Sequence, residues 1–158
     1  MKIKLQNGKP ASEEAILALE TALGCPLSDS FRAFLRAHDG AKPETNIFKI
    51  NGNNASGVNA FIPAGKIQKE RMRVDNIPIR AYPVAWAEGG NYVFVDEDRN
   101  GAVFFWDHEL PDGPTELAAD FGSFLESLEP FDIRMVQMKP DQVKKVWVDA
   151  EFLKRLKK

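Results

Sequence analysis

Apolar residues recur at helical spacing near both ends of the chain, and at alternate or consecutive positions through its middle. Ile16, Leu19 and Leu23 share one helical face, with Ser12 at the N-cap position and Gly24 and Pro26 as the stop. Ser28 or Asp29 can then cap a second helix whose buried side carries Phe31, Phe34 and Leu35 and which Gly40 ends. The opening is therefore an αα-hairpin. Near the other end, Asp120 precedes Phe121, Phe124, Leu125 and Leu128, an i, i+3, i+4, i+7 pattern that predicts a further helix. Between them, "TNIFKI" (45–50), "AYPVAWAE" (81–88), "NYVFV" (91–95) and "AVFFW" (102–106) read as strands. Pro83 suggests the beginning of a strand or an edge position. "NGNNASG" (51–57) reads as a turn-rich loop, and "GKIQKERMRVD" (65–75) fits a helix or a basic loop equally well.

Helices at both ends with short-linked strands between them predict an α+β fold. Its sheet is mainly antiparallel, a central meander with the terminal helices packed on it. With 158 residues the chain suits a single domain, 1–158, and no interdomain linker or repeat interrupts it.

The hairpin at 91–106 can be read in two ways. Asp96, Asp98, Asn100 and Gly101 match the D-x-[DN]-x-[DN]-G opening of a calcium loop. The strand-like flanks, and Asp107 rather than glutamate at the twelfth position, count against a metal. The alternative takes Asn100-Gly101 as a two-residue turn, since both positions of such a turn need positive φ. That register sets Val95 opposite Trp106 and gives a core face of Val93, Val95, Phe104 and Trp106. The other face then carries Tyr92, Phe94 and Phe105 with Asp96, Asp98, Asp107 and Glu109, an aromatic and acidic patch suited to a protein partner. A four-residue loop gives the same faces, whereas a three- or five-residue loop with a bulge would swap the pairing.

Charge sharpens that reading. From Glu88 to Asp132 twelve acidic residues stand against Arg99 alone, a balance of −11, whereas Lys139–Lys158 carries +4 and Lys66–Arg80 carries +3. An acidic segment of this density attracts a basic protein partner and repels nucleic acid. No apolar run approaches membrane-spanning length, and the N-terminus lacks the apolar core of a signal peptide, so a cytoplasmic protein is expected. Cys25 is the single cysteine, which excludes an intramolecular disulfide and a cysteine-based zinc cage.

Catalytic chemistry finds little support. His38 reads as a half-buried residue near a helix C-terminus, and His108 in "WDHE" has no further ligands at suitable spacing. No phosphate-binding glycine loop, G-x-S-x-G or H-E-x-x-H occurs, so neither an enzyme nor a cofactor is expected.

The stretch "SEEAILALETALGCPLSDSFRAFLRAHDGAKP" resembles the opening of SUKH-superfamily domains, a group named in part for fungal cell-wall assembly regulators. Leu23-Gly24, Leu27, Phe31, Phe34-Leu35 and Asp39-Gly40 carry the likeness, although Pro26 precedes Leu27 where the family more often has proline after it. "EGGNYVFVD", "GAVFFWDHE" and "ADFGSFLESL" look like that family's meander and closing helix. The resemblance covers residues 12–130 and leaves 131–158 as a basic C-terminal extension. It implies a non-catalytic binding module, an immunity protein that neutralises a cognate toxin such as a nuclease through a basic toxin domain. The alternative is an intracellular regulatory scaffold that recognises a host protein. The oligomeric state stays open.

Overall fold

The computed structural model describes residues 3–52, 54–109 and 113–131. The basic extension from 132 onward, in which Val143, Val146 and Trp147 are spaced to share one helical face, lies outside the described residues.

Helix α1 spans Glu13–Leu23, where the Ser12 hydroxyl accepts from the Ala15 amide at 3.1 Å and Gly24 closes the helix in the left-handed region, φ 73°. Helix α2, Asp29–His38, buries Phe31, Phe34 and Leu35. Glu20 ties the pair together by accepting from the Leu27 amide at 3.0 Å and pairing with Arg32. His38 is half-buried beside Phe34, as its position at the helix end suggested. A small two-stranded ribbon, β1 (Leu5–Gln6) with β2 (Lys42–Pro43), brackets these helices.

The main sheet has six strands in chain order: β3 (Ile47–Asn51), β4 (Asn54–Phe61), β5 (Ala81–Ala87), β6 (Asn91–Asp96), β7 (Ala102–Trp106) and β8 (Thr115–Ala118). Every neighbouring pair is antiparallel, and the outer strands β3 and β8 approach each other, so the meander curls towards a closed barrel. The α+β expectation with a mainly antiparallel meander matches this architecture. Helix α3 (Ala64–Arg71) follows β4, and α4 (Phe121–Ser127) closes the described chain with Asp120 as its cap.

Most of the aromatic residues lie in one core. Phe121 stands edge-on to Phe31 and Phe34 at centroid distances of 4.9 and 5.1 Å, and Phe34 meets Phe61 at 4.7 Å. These rings join α2 and α4 to the sheet, and edge-to-face contacts add to the burial of each ring.

Two local expectations need correction, one open segment is decided, and one strand is new. The polar stretch 51–57 is mostly strand: Asn51 ends β3, Gly52 turns the chain, and β4 starts at Asn54, with Ser56 and Gly57 buried ahead of Val58. The undecided segment 65–75 is helical as far as Arg71, in α3, whose buried face carries Ala64, Ile67 and Glu70, and continues as a turn and loop. Pro83 sits inside β5, an interior strand, at an irregularity where the register with β6 shifts between Pro83 and Ala85. Strand β8 was not anticipated, since "TELA" has no alternation strong enough to mark it.

The hairpin register also differs. Five residues, 97–101, separate the closing pair Asp96 and Ala102, so Val95 faces Val103, Phe94 faces Phe104, Val93 faces Phe105 and Tyr92 faces Trp106. Asp96 accepts from the Asp98 amide and caps a 3-10 turn at Glu97–Arg99, which lengthens the connection. Asn100 and Gly101 do take positive φ, 58° and 78°, but at the end of this turn rather than as its centre.

Candidate functional site

The longer loop exchanges part of the two faces predicted for the hairpin. Val93, Val95, Val103 and Phe105 line the main core. The opposite face carries three cross-strand rows: Trp86–Tyr92–Trp106, Pro83–Phe94–Phe104 and Ala81–Asp96–Ala102. Phe105 is thus separated from Tyr92 and Phe94, with which it was grouped. Phe94 and Phe104 stack at 5.3 Å, and the Arg99 guanidinium lies 5.2 Å from the Phe104 ring. Phe94, Asp96 and Phe105 are 1%, 2% and 4% exposed, so these side chains serve the fold rather than an open patch.

Tyr92 is drawn into a buried polar cluster. Its hydroxyl donates to Glu70 Oε2 at 2.6 Å, and the Trp86 indole N–H donates to the same oxygen at 2.9 Å. Burial would raise the Glu70 pKa, but these two donors and the nearby Arg73 charge outweigh it and hold the carboxyl below its ordinary value. Burial, reinforced by Glu70, pushes the Tyr92 phenol up to about 12. Glu70 was missed in the sequence because a lone acid amid lysines and arginines reads as surface. Its i+3 spacing from Ile67 was the available signal.

The four proposed carboxylates do not gather. Asp96 and Asp98 belong to the loop at one end of the hairpin, and Asp107 and Glu109 leave β7 at the other, about 17 Å away by strand rise. Asp96 faces Arg99 at 3.8 Å and Asp98 pairs with Arg80 at 3.0 Å. The oxygens assigned to calcium therefore face arginines, and among the described residues no three acidic, histidine or cysteine side chains converge as a metal site.

At the far end a different group forms. Asn91 Oδ1 accepts from the His108 amide at 3.2 Å and meets His108 Nδ1 at 2.7 Å. This clasp joins the turn Glu88–Gly90 to residues 107–109. Gly89 and Gly90 make the turn with φ 75° and 79°. Glu88, Asp107 and Glu109 share this rim, with the Glu109 side chain 80% exposed and Asp107 Oδ1 accepting from the Glu109 amide at 2.9 Å. Partly exposed Trp86 and Trp106 form the adjoining row, and Trp106 lies 6.3 Å from the His108 ring. Glu88 escaped notice as a site residue, although its position between a strand and Gly89-Gly90 marked it as a strand-end turn. The rim can offer carboxylate acceptors and flat aromatic area to a cationic surface.

The chain belongs to the SMI1 / KNR4 family (SUKH-1), which it matches over residues 10–127. It is also 43% identical over 63 residues to the SPbeta prophage-derived uncharacterized protein YokK of Bacillus subtilis (strain 168), a match covering 37% of this chain and 32% of that protein. The matched region thus spans about a third of that relative's length. Among the described residues no helix is long and apolar enough to cross a membrane.

Proposed function

We propose that this SUKH-1 domain is an immunity protein, a non-catalytic binder that neutralises a toxin by covering a basic surface with its acidic rim. The observation that carries this reading is the division of labour among the carboxylates. Asp96, Glu97, Asp98 and Asp120 are engaged by the fold through the turn cap, Tyr82, Arg80 and the α4 cap. Glu88 and Glu109 are exposed together at the rim, beside half-buried Asp107, whose Oδ1 caps the Glu109 amide. Carboxylates left at one edge steer a cationic partner and orient it. Family membership and the likeness to a prophage-derived protein support the same reading. A protein partner, rather than a nucleic acid or a membrane, follows from the sign of the charge.

Affinity purification of the tagged full chain from its native cells, with mass spectrometry, tests the proposal. Recovery of a basic toxin domain, and restored growth when the chain is co-expressed with it, is the expected result. Recovery of signalling proteins alone, with no toxin whose activity the chain blocks, would replace this reading with a regulatory scaffold.

A further inference from the structure

We infer that the sheet end formed by Trp86, Trp106, His108, Glu88, Asp107 and Glu109 is the docking place of the chain's own basic C-terminal segment, 139–158. Three observations place the occupant. The described chain leaves the fold at this same end: Glu129 exchanges backbone hydrogen bonds with Ile47 at 2.8 and 2.9 Å. Ile47 pairs with Gly57, and Gly57 lies so close to Glu88 that a Cβ there would stand 3.0 Å from its carboxylate oxygen. From β3 the rim continues through β4, β5 and β6 to Asp107 at the end of β7, four strand spacings or about 19 Å, and less where the sheet curls.

Reach is sufficient. The ten residues from Glu129 to Lys139 cover up to about 35 Å extended and about 15 Å as a helix. Charge and polarity are complementary. The segment 139–158 has seven basic and three acidic residues, and Val143, Val146 and Trp147 stand at a spacing that suits the exposed indole area of Trp86 and Trp106. A tethered segment acts at an effective concentration in the millimolar range, so weak individual contacts suffice to seat it.

The inference uses the rim of the immunity reading but not its partner. A basic partner would have to displace the segment, which makes it a built-in competitor. Zero-length carbodiimide cross-linking of the full chain, with peptide mapping, tests the contact without any partner. A mixture of isotope-labelled and unlabelled chains separates links within a chain from links between chains. The expected products join Lys139, Lys144, Lys145, Lys154, Lys157 or Lys158 to Glu88, Asp107 or Glu109 within one chain, and they decline at least several-fold at high salt. Links from those lysines only to other acids such as Glu13, Glu14 or Glu126, links only between chains, or no links would each overturn the inference. The immunity reading would stand in all three cases.

Discussion

The buried hydroxyl of Tyr82 donates to Glu97 Oε1 at 2.5 Å, and that oxygen also accepts from the Ser28 amide at 2.8 Å. One carboxylate thereby fastens the β6–β7 loop to β5 and to the start of α2. Burial first, and the adjacent carboxylate second, push the Tyr82 phenol far above its ordinary value. Glu97→Ala removes the shared acceptor and leaves a buried hydroxyl without a partner, a loss of about 1–3 kcal/mol. Tyr82→Phe leaves the Ser28 bond in place and costs about 0.5–1.5 kcal/mol. Urea denaturation of the two variants ranks them, and a larger loss in Tyr82→Phe would contradict the shared-acceptor account.

Glu70 predicts an acid-dependent term in stability. It is 6% exposed, and Tyr92 and Trp86 hold its folded pKa below the ordinary carboxylate value despite burial. A depressed carboxyl contributes stability above its unfolded pKa and loses it as pH falls through the lower folded value. Glu70→Gln keeps an acceptor oxygen but removes the charge. The stability gap between wild type and variant should therefore be full at pH 7 and narrow below about pH 4.5. A gap of constant size from pH 7 to pH 3 would show that the charge contributes nothing.

Phe121 is the ring on which α2, α4 and the sheet converge, fully buried against Phe31, Phe34 and Phe61. Phe121→Ala should cost about 3–5 kcal/mol, enough to unfold a marginal domain. Phe131 is 64% exposed, and Phe131→Ala should stay within about 0.5 kcal/mol of wild type. Thermal unfolding of both variants checks the contrast. A comparable loss in the two would mean that Phe131 packs against something in solution.

Helix faces were legible in the sequence because a cap and a 3.6-residue period coincide after Ser12, where Gly24 supplies the stop, and again after Asp120. The meander was legible from its apolar runs and short turns. Register was not, because it depends on Asp96 capping its own loop and on Glu97 reaching Tyr82 and Ser28, contacts that no local pattern encodes. That one shift buries Phe105 in the main core and moves Asp96 from opposite Phe105 to opposite Ala102, further from Asp107. Strand β4 was hidden by its asparagines and its glycine, which fit the sheet because Gly57 admits the Glu88 carboxylate and Asn59 donates to the Ala87 carbonyl at 3.2 Å. The acidic segment was visible from composition. Which of its members remain free for a partner required the fold.

The two ends of the hairpin therefore make opposite predictions for binding. Glu88→Lys with Glu109→Lys reverses charge at the rim without touching a buried side chain or the Asp107 bond to the Glu109 amide. Against the basic toxin domain captured with the chain, the double variant should bind roughly tenfold or more weakly at low salt, chiefly through slower association. The difference should shrink as salt rises, since exposed charges are screened over about 8 Å at physiological ionic strength. Asp98→Ala removes a carboxylate at the opposite end, where the Arg80 pair is exposed and contributes about 1 kcal/mol or less to stability. Its affinity should match wild type. Surface plasmon resonance across a salt series measures both. If Asp98→Ala weakens the complex while the rim variant binds normally, the partner engages the loop end, and the rim carboxylates are ordinary solvated surface.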